Sequence, residues 1–284
     1  MSPEGFLLVL AAALCHATWN LLVKRLNAGA ELLWLFSLVT VILYAPFALW
    51  AVLRWEDPSP LAALAIALST ALHLGYFLVL QAGYRAGDLS MVYPTARATG
   101  PILSGVLAVL LLGEEVNGTL ILGAGVIVFG VFMLTGGFRR RSRAAALSLA
   151  FGLATGAFIG SYTIADAYAV TALAIPPLLV DYASSLGRVV LLAPLANRRR
   201  DRVAALWRDH RAEVTGIAIF SALAYILVLV AITFTPVVYV APLRETSVLF
   251  AVLAGSLLLG EGDLARRLGW AAVIFAGVVL LATS

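Results

Sequence analysis

Apolar runs of membrane-crossing length follow one another almost from end to end of this 284-residue chain. A helix needs about 20 apolar residues to span about 30 Å of hydrocarbon. Ten such runs are present, at about 5–23, 32–53, 61–83, 90–112, 118–137, 146–165, 172–195, 214–233, 237–259 and 268–283. Backbone in hydrocarbon must satisfy its own hydrogen bonds, which runs of this length do only as helices. The predicted class is therefore an all-α polytopic membrane protein whose first partner is the lipid bilayer. Composition agrees: 62% of residues are hydrophobic, 12% are charged and the mean hydropathy is +1.01. That leaves too little polar surface to cover a water-soluble globule of this length. The net charge of +4 reflects where the arginines sit relative to the membrane, and no nucleic-acid partner is expected. Cys15 is the single cysteine, so no intrachain disulfide forms.

Within this apolar sequence one segment occurs twice. Met91 to Glu115 reads MVYPTARATGPILSGVLAVLLLGEE, and Val238 to Gly262 reads VYVAPLRETSVLFAVLAGSLLLGEG. One gap-free register pairs Arg97 with Arg244, Thr99 with Thr246, Gly113 with Gly260, Glu114 with Glu261 and Gly130 with Gly277. This is an internal repeat. It divides the chain into a five-helix unit over 1–138, a basic connector over 139–146 and a second five-helix unit over 147–284. Because five is odd, the second unit enters the bilayer from the opposite face. Two inverted repeats, each with a polar, proline-interrupted helix, predict a central cavity with a binding site between them.

The residues that would line such a site can be read helix by helix. In the first run His16, Trp19 and Asn20 share one face at i, i+3 and i+4; they either bond to neighbouring helices or wall the cavity. That run lacks a basic leader and reads as a retained helix rather than a cleaved signal. In the third run Tyr76 belongs to a stripe with His73 and Tyr84, beside Gln81, and polar stripes in hydrocarbon face protein or water. In the fourth, Pro94 and Pro101 free the carbonyls of Ser90 and Arg97, and Tyr93, Arg97 and Gly100 share a face. The sixth run has Gly152, Gly156 and Gly160 at packing spacing and sets Tyr162 where the first sets Trp19. The ninth adds Tyr239, Pro242, Arg244, Glu245 and Thr246. A charge at the bilayer centre costs about 2.5–3.5 kcal/mol even on lenient scales, so paired arginines at equivalent positions need a compensating role. For Arg244 the adjacent Glu245 is one; Arg97 has no acidic neighbour within a turn. The expected substrate shell is Arg97, Arg244, Tyr93, Tyr239, Thr99, Thr246, His16, Trp19, Asn20, Tyr76, Gln81 and Tyr162.

Asp181 is expected to be the one carboxylate near the middle of an apolar run, with Arg188 seven residues on along the same face. The two are either a mutual ion pair or, with protons as coupling ion, the coupling residues. The segment 197–213 is charged and partly amphipathic, as a helix lying on anionic lipid would be. Asn117-Gly118-Thr119 has the form of a glycosylation acceptor in a tight loop. No nucleophile, metal or nucleotide motif is present, so no enzyme, catalytic residue, metal or cofactor is expected. Nothing in the sequence sets an oligomeric state.

With its ten helices, its two repeats, the stretches HATWNLLVKR, VYPTARATGP and VAPLRETSVLF, and a paired LLGE, the chain resembles EamA-domain members of the drug/metabolite transporter superfamily over nearly its whole length. The resemblance implies an inverted-repeat basket in a bacterial inner membrane that carries amino acids, nucleotide sugars, organic cations or other metabolites. The PTAR and LRETS segments resemble one bacterial branch, in which permeases for phosphonate-type compounds are suspected. The glutamate that multidrug members carry in their first helix is missing here. The function expected is a secondary-active permease for a small polar metabolite with a carboxylate or phosphonate group, working by alternating access. The alternatives are a zwitterion or amino-acid exporter and, from another class, a receptor or assembly subunit that transports nothing.

Loops after odd-numbered helices hold Lys24, Arg25, Arg85, Arg139 to Arg143, the Arg198 to Arg211 cluster, Arg266 and Arg267, whereas even-numbered loops hold only Arg54. Basic loops stay cytoplasmic, so both termini are predicted to be periplasmic. Alkaline phosphatase fused after Ser284 should be active and a green fluorescent fusion there dark; the reverse pattern overturns the assignment.

Overall fold

The computed structural model describes residues 1–26, 28–56, 58–86, 89–134, 145–250 and 264–284. Among these residues the chain forms ten helices: α1 (Pro3–Leu26), α2 (Ala30–Arg54), α3 (Pro60–Ala86), α4 (Leu89–Leu112), α5 (Gly118–Leu134), α6 (Ala145–Thr171), α7 (Pro177–Arg198), α8 (Arg200–Ile232), α9 (Val237–Arg244) and α10 (Leu264–Ala282). Seven are long and apolar enough to cross a membrane, and α5 and α10 are shorter apolar helices. Their outward faces are greasy, with Leu53, Leu110 and Phe275 all more than 60% exposed, as lipid contact requires. Hydroxyls inside the helices turn back on their own backbone: Thr40 donates to the Phe36 carbonyl, Thr155 to Phe151 and Thr163 to Ile159. That keeps donors satisfied without water.

Two boundaries differ from the expected runs. The sixth run continues beyond residue 165 to Thr171, which brings Asp166 inside α6. The charged segment before the eighth run joins it as one helix, bent at His210 (φ −136°, ψ 29°). The ninth run stops being regular at Glu245, and a further helical turn spans 246–250. The rest of that run lies outside the described residues, with Gly260, Glu261 and most of the 139–146 connector.

Helix neighbours respect an exchange of the two halves. Swapping α1–α5 for α6–α10 maps the α1–α8 contact onto α6–α3, α4–α6 onto α9–α1 and α2–α8 onto α7–α3, and returns α2–α7, α4–α9 and α5–α10 to themselves. The α4–α6 contact follows from the glycine stripe. Gly152, Gly156 and Gly160 of α6 receive Thr95, Thr99 and Leu103 of α4, which stand at the same four-residue spacing. Ridges thus enter a groove that side chains would fill.

The LLGE sequence has a specific structural job. Gly113 ends α4 with φ +69°, a left-handed conformation cheap only for glycine, and the Glu114 N–H bonds back to the Ala108 carbonyl at 3.2 Å. The turn delivers the Glu114 carboxylate to the start of α9, where Oε1 accepts from the Val237 N–H at 2.8 Å and Oε2 from Val238 at 2.9 Å. A carboxylate there caps unpaired donors and meets the positive end of the helix dipole. Asn117 works similarly, its Oδ1 accepting the Leu120 N–H at 2.8 Å, so this residue serves as the N-cap of α5.

The packing of α5 on α10 supplies a direct test. A Cβ on Gly123 would stand 2.8 Å from the Leu281 nitrogen and 3.0 Å from the Gly277 oxygen, both backbone atoms, whereas one on Gly125 would meet nothing within 4 Å. Gly123→Ala should therefore cost about 1–3 kcal/mol and lower the melting temperature in detergent. Gly125→Ala should leave it unchanged or raise it, because alanine favours a helix by about 1 kcal/mol. Equal melting temperatures for the two variants would refute this packing.

Candidate functional site

Proline shapes the place where the repeats meet. Pro242 has no N–H to give the Val238 carbonyl, and just beyond it the helix tightens: Glu245 N–H reaches Pro242 O at 3.1 Å and Val248 N–H reaches Glu245 O at 3.0 Å. This places Arg244 (8% exposed) and Glu245 (1% exposed) side by side in the interior. Opposite them, Tyr93 and Arg97 stand one turn apart on α4. The Arg97 Nη1 donates to Glu245 Oε1 at 3.2 Å, Nε to the Tyr93 hydroxyl at 3.4 Å, and Nη2 contacts His16 Nε2 at 2.8 Å. The guanidinium also lies over the Tyr93 ring, 5.5 Å from its centre.

The Arg97 contact decides the His16 tautomer. Arginine can only donate, so Nε2 must accept and the ring proton sits on Nδ1. The Trp19 indole N–H, 3.3 Å from that Nδ1, is then part of an edge-to-face ring contact (centroids 5.1 Å, 81°) rather than a hydrogen bond.

Arg244 is treated differently from its repeat partner. Its Nε lies 4.0 Å from Glu245 Oε1, and among the described residues the guanidinium makes no hydrogen bond. Glu245 Oε2 is likewise buried without a partner. Two guanidiniums thus share one oxygen of one carboxylate. The expectation that Glu245 belongs chiefly to Arg244 is corrected, because its shorter contact crosses the repeat interface to Arg97.

A second polar group adjoins this one. Asp166 of α6 is wholly buried, and its Oδ2 accepts from the Tyr225 hydroxyl and contacts His73 Nε2 at 2.9 Å. Its Oδ1 has no partner. His73 stacks on Tyr162 at 4.0 Å between ring centres, and Tyr162 meets Tyr76 and Tyr225 edge-on at 5.8 and 6.2 Å. Tyr162 joins the two groups. Asp166 was absent from the expected site because the sixth run was ended one residue too early. The available signal was its place one turn after Tyr162, on the same helical face.

Of the expected residues, Arg97, Arg244, Tyr93, His16, Trp19, Tyr76 and Tyr162 are in or beside these groups. Others are elsewhere. Thr99 packs against Gly156, and Thr246 donates to its own Leu243 carbonyl at 2.8 Å. Asn20 donates to the His16 carbonyl at 2.7 Å. Tyr239 packs on the main apolar core; the repeat register sets it opposite Val92, not Tyr93. Gln81 is half-buried on α3 without a hydrogen bond to either group. Arg188 donates to Ser37, Ser184 and Ser185 at 3.2, 3.2 and 2.8 Å, so the ion pair with Asp181 is not formed. Asp181 is itself 6% exposed, and it is not the one carboxylate deep in the bundle, since Asp166 and Glu245 are buried more completely.

A cavity of about 620 Å³ lies apart from this chemistry. It opens between α4, α5 and α9 and is lined by apolar side chains such as Ile102, Val106, Ile121 and Phe129, of which these four are at least half exposed. Such a lining suits lipid chains better than a polar solute.

Comparison with known proteins places this arrangement. Chains of known structure that match number 27. One, described only as "Crystal structure of protein", superposes with a TM-score of 0.76 over 99% of this chain and 96% of its own at 16% identity, which shows a shared fold alone. None of the curated proteins matches. The model of the EamA-like transporter family matches twice, over residues 3–136 and 146–283, one match to each half of a bundle in which α4 and α9 bring their arginines together. The chain thus belongs to the EamA-like transporter family and is a multi-pass membrane protein of the transporter kind.

Proposed function

We propose that the protein is a secondary-active permease of the bacterial inner membrane that moves a small polar metabolite bearing a carboxylate, phosphonate or phosphate group. The observation that carries this reading is Arg244, a buried guanidinium whose donors make no hydrogen bond among the described residues, next to Arg97. The group formed by Arg97, Arg244 and Glu245 has two positive charges against one negative. A monoanion placed between the guanidiniums would bring it to neutrality. Arginine's planar fork suits oxyanions better than an ammonium does, and the Tyr93 hydroxyl stands beside it. The two arginines enter from opposite repeats, which suits alternating access from each side.

One further observation favours the zwitterion reading. Glu245 Oε2 is a buried acceptor without a donor, and a substrate ammonium beside the anionic group would supply one. An aminoalkylphosphonate or an amino acid would then engage both ends of the site. A receptor that transports nothing would bind the same ligands but show no counterflow in liposomes.

Methylphosphonate, an aminoalkylphosphonate and choline can be compared by thermal shift and by counterflow in proteoliposomes. Arg244→Lys and Arg97→Lys should each weaken anion binding roughly 10- to 100-fold, the loss of about 1.5–3 kcal/mol expected for a hydrogen bond to a charged group. Glu245→Gln should lower affinity for the aminoalkylphosphonate more than for methylphosphonate. Lysine variants that bind anions as the parent does, or a parent that takes only choline, would refute the site assignment.

A further inference from the structure

We propose that Asp166, held between His73 and Tyr225, is a proton-binding site that communicates through Tyr162 with the arginine pair. The proposal rests on the transport reading above. The role expected for Asp181 passes to a carboxylate that has the geometry for it.

Three features of the group point to a proton as its ligand. Asp166 is fully buried on a membrane helix, and its Oδ1 has no donor while Oδ2 has two neighbours. An ionised oxygen without a donor is costly in a dry interior, and a proton removes the charge. Beside it stands His73, 11% exposed, a side chain suited to passing protons. The step balances simply. A proton from water adds to His73 Nδ1, the Nε2 proton passes to the Asp166 carboxylate, and the imidazole is neutral again in its other tautomer. The sum is one proton and one carboxylate giving one carboxylic acid; the reverse sequence releases it.

The connection to the arginines is physical. Tyr162 stacks on His73 and lies within electrostatic reach of Arg244, Arg97, Glu245 and Asp166. The ionisable groups around Asp166 and its partners are His73 and Tyr76 on α3, Tyr93 and Arg97 on α4, Asp181 with Arg188 on α7, Tyr225 on α8 and Arg244 on α9. Asp181 and Arg188 offset each other. With the site empty, Arg97 and Arg244 are balanced by Glu245 and Asp166. A bound monoanion leaves one negative charge too many, and one proton on Asp166 removes it. Anion and proton therefore favour each other's binding, as reciprocal linkage requires, in a ratio of one to one.

Infrared difference spectra of the substrate-free protein, recorded across about pH 5 to 8, read the proton directly. The parent should show a carboxylic-acid C=O band that grows on acidification. Asp166→Asn should abolish it and Asp181→Asn should keep it. Tyr225→Phe, which removes one donor and preserves the ring, should shift the band frequency. A band that survives in Asp166→Asn, is lost in Asp181→Asn, or titrates nowhere in the parent overturns the proposal. In proteoliposomes with methylphosphonate, Asp166→Asn should retain exchange and lose accumulation driven by a pH gradient; accumulation that persists in this variant overturns it too. A parent that exchanges no methylphosphonate counts against the anion-transport reading instead, and the infrared titration, which needs no substrate, still decides the proton site.

Discussion

A guanidinium in hydrocarbon has to be met by protein, and the way Arg97 is met joins the two halves of this molecule. Its carboxylate partner comes from the other repeat, and its imidazole partner from the first helix of its own. Removing one member of a buried charge pair costs about 3–5 kcal/mol, a large share of the 5–15 kcal/mol that typically separates folded from unfolded protein. The relative placement of α1, α4 and α9 is thus set by electrostatics at the centre. Small residues merely allow the helices to come close enough. The same economy explains why Glu245 can stand 1% exposed beside membrane helices: its charge is held by two cations.

Much of this was legible in the sequence because repetition and hydropathy are one-dimensional signals. Ten runs gave the helices, and a single register gave the pair Arg97 and Arg244. Contacts between helices are not one-dimensional, and there the reading failed in instructive ways. Thr99 and Thr246 occupy equivalent positions, yet one packs on a glycine and the other bonds to its own backbone, because a threonine in hydrocarbon satisfies itself locally at little cost. Asn20 does the same with the His16 carbonyl. Glu245 was assigned to its sequence neighbour, whereas the shorter contact is made across 148 positions.

The buried carboxylates show a subtler limit. Asp181 attracted notice through its position within an apolar run, and Asp166 escaped it by one residue at the run's edge. Hydropathy falls off wherever a polar residue appears, so a window ends a helix at the group that makes the helix interesting. Arg188 completes the lesson. Its charge looked destined for Asp181, but three serine hydroxyls on α2 and α7 receive it, and these are weak signals in a sequence because serine is compatible with so many environments.

The Glu114 cap has a mechanical meaning as well. Both oxygens of one carboxylate grip consecutive N–H groups at the start of α9, while Gly113 fixes that carboxylate rigidly to the end of α4. The cap therefore acts as a strut between helices of different repeats. Any motion that preserves it carries α4, the turn and the head of α9 together as one lever, so opening and closing of the bundle must find its hinges elsewhere. The bent α8, with its irregular residue at His210, stands outside that lever.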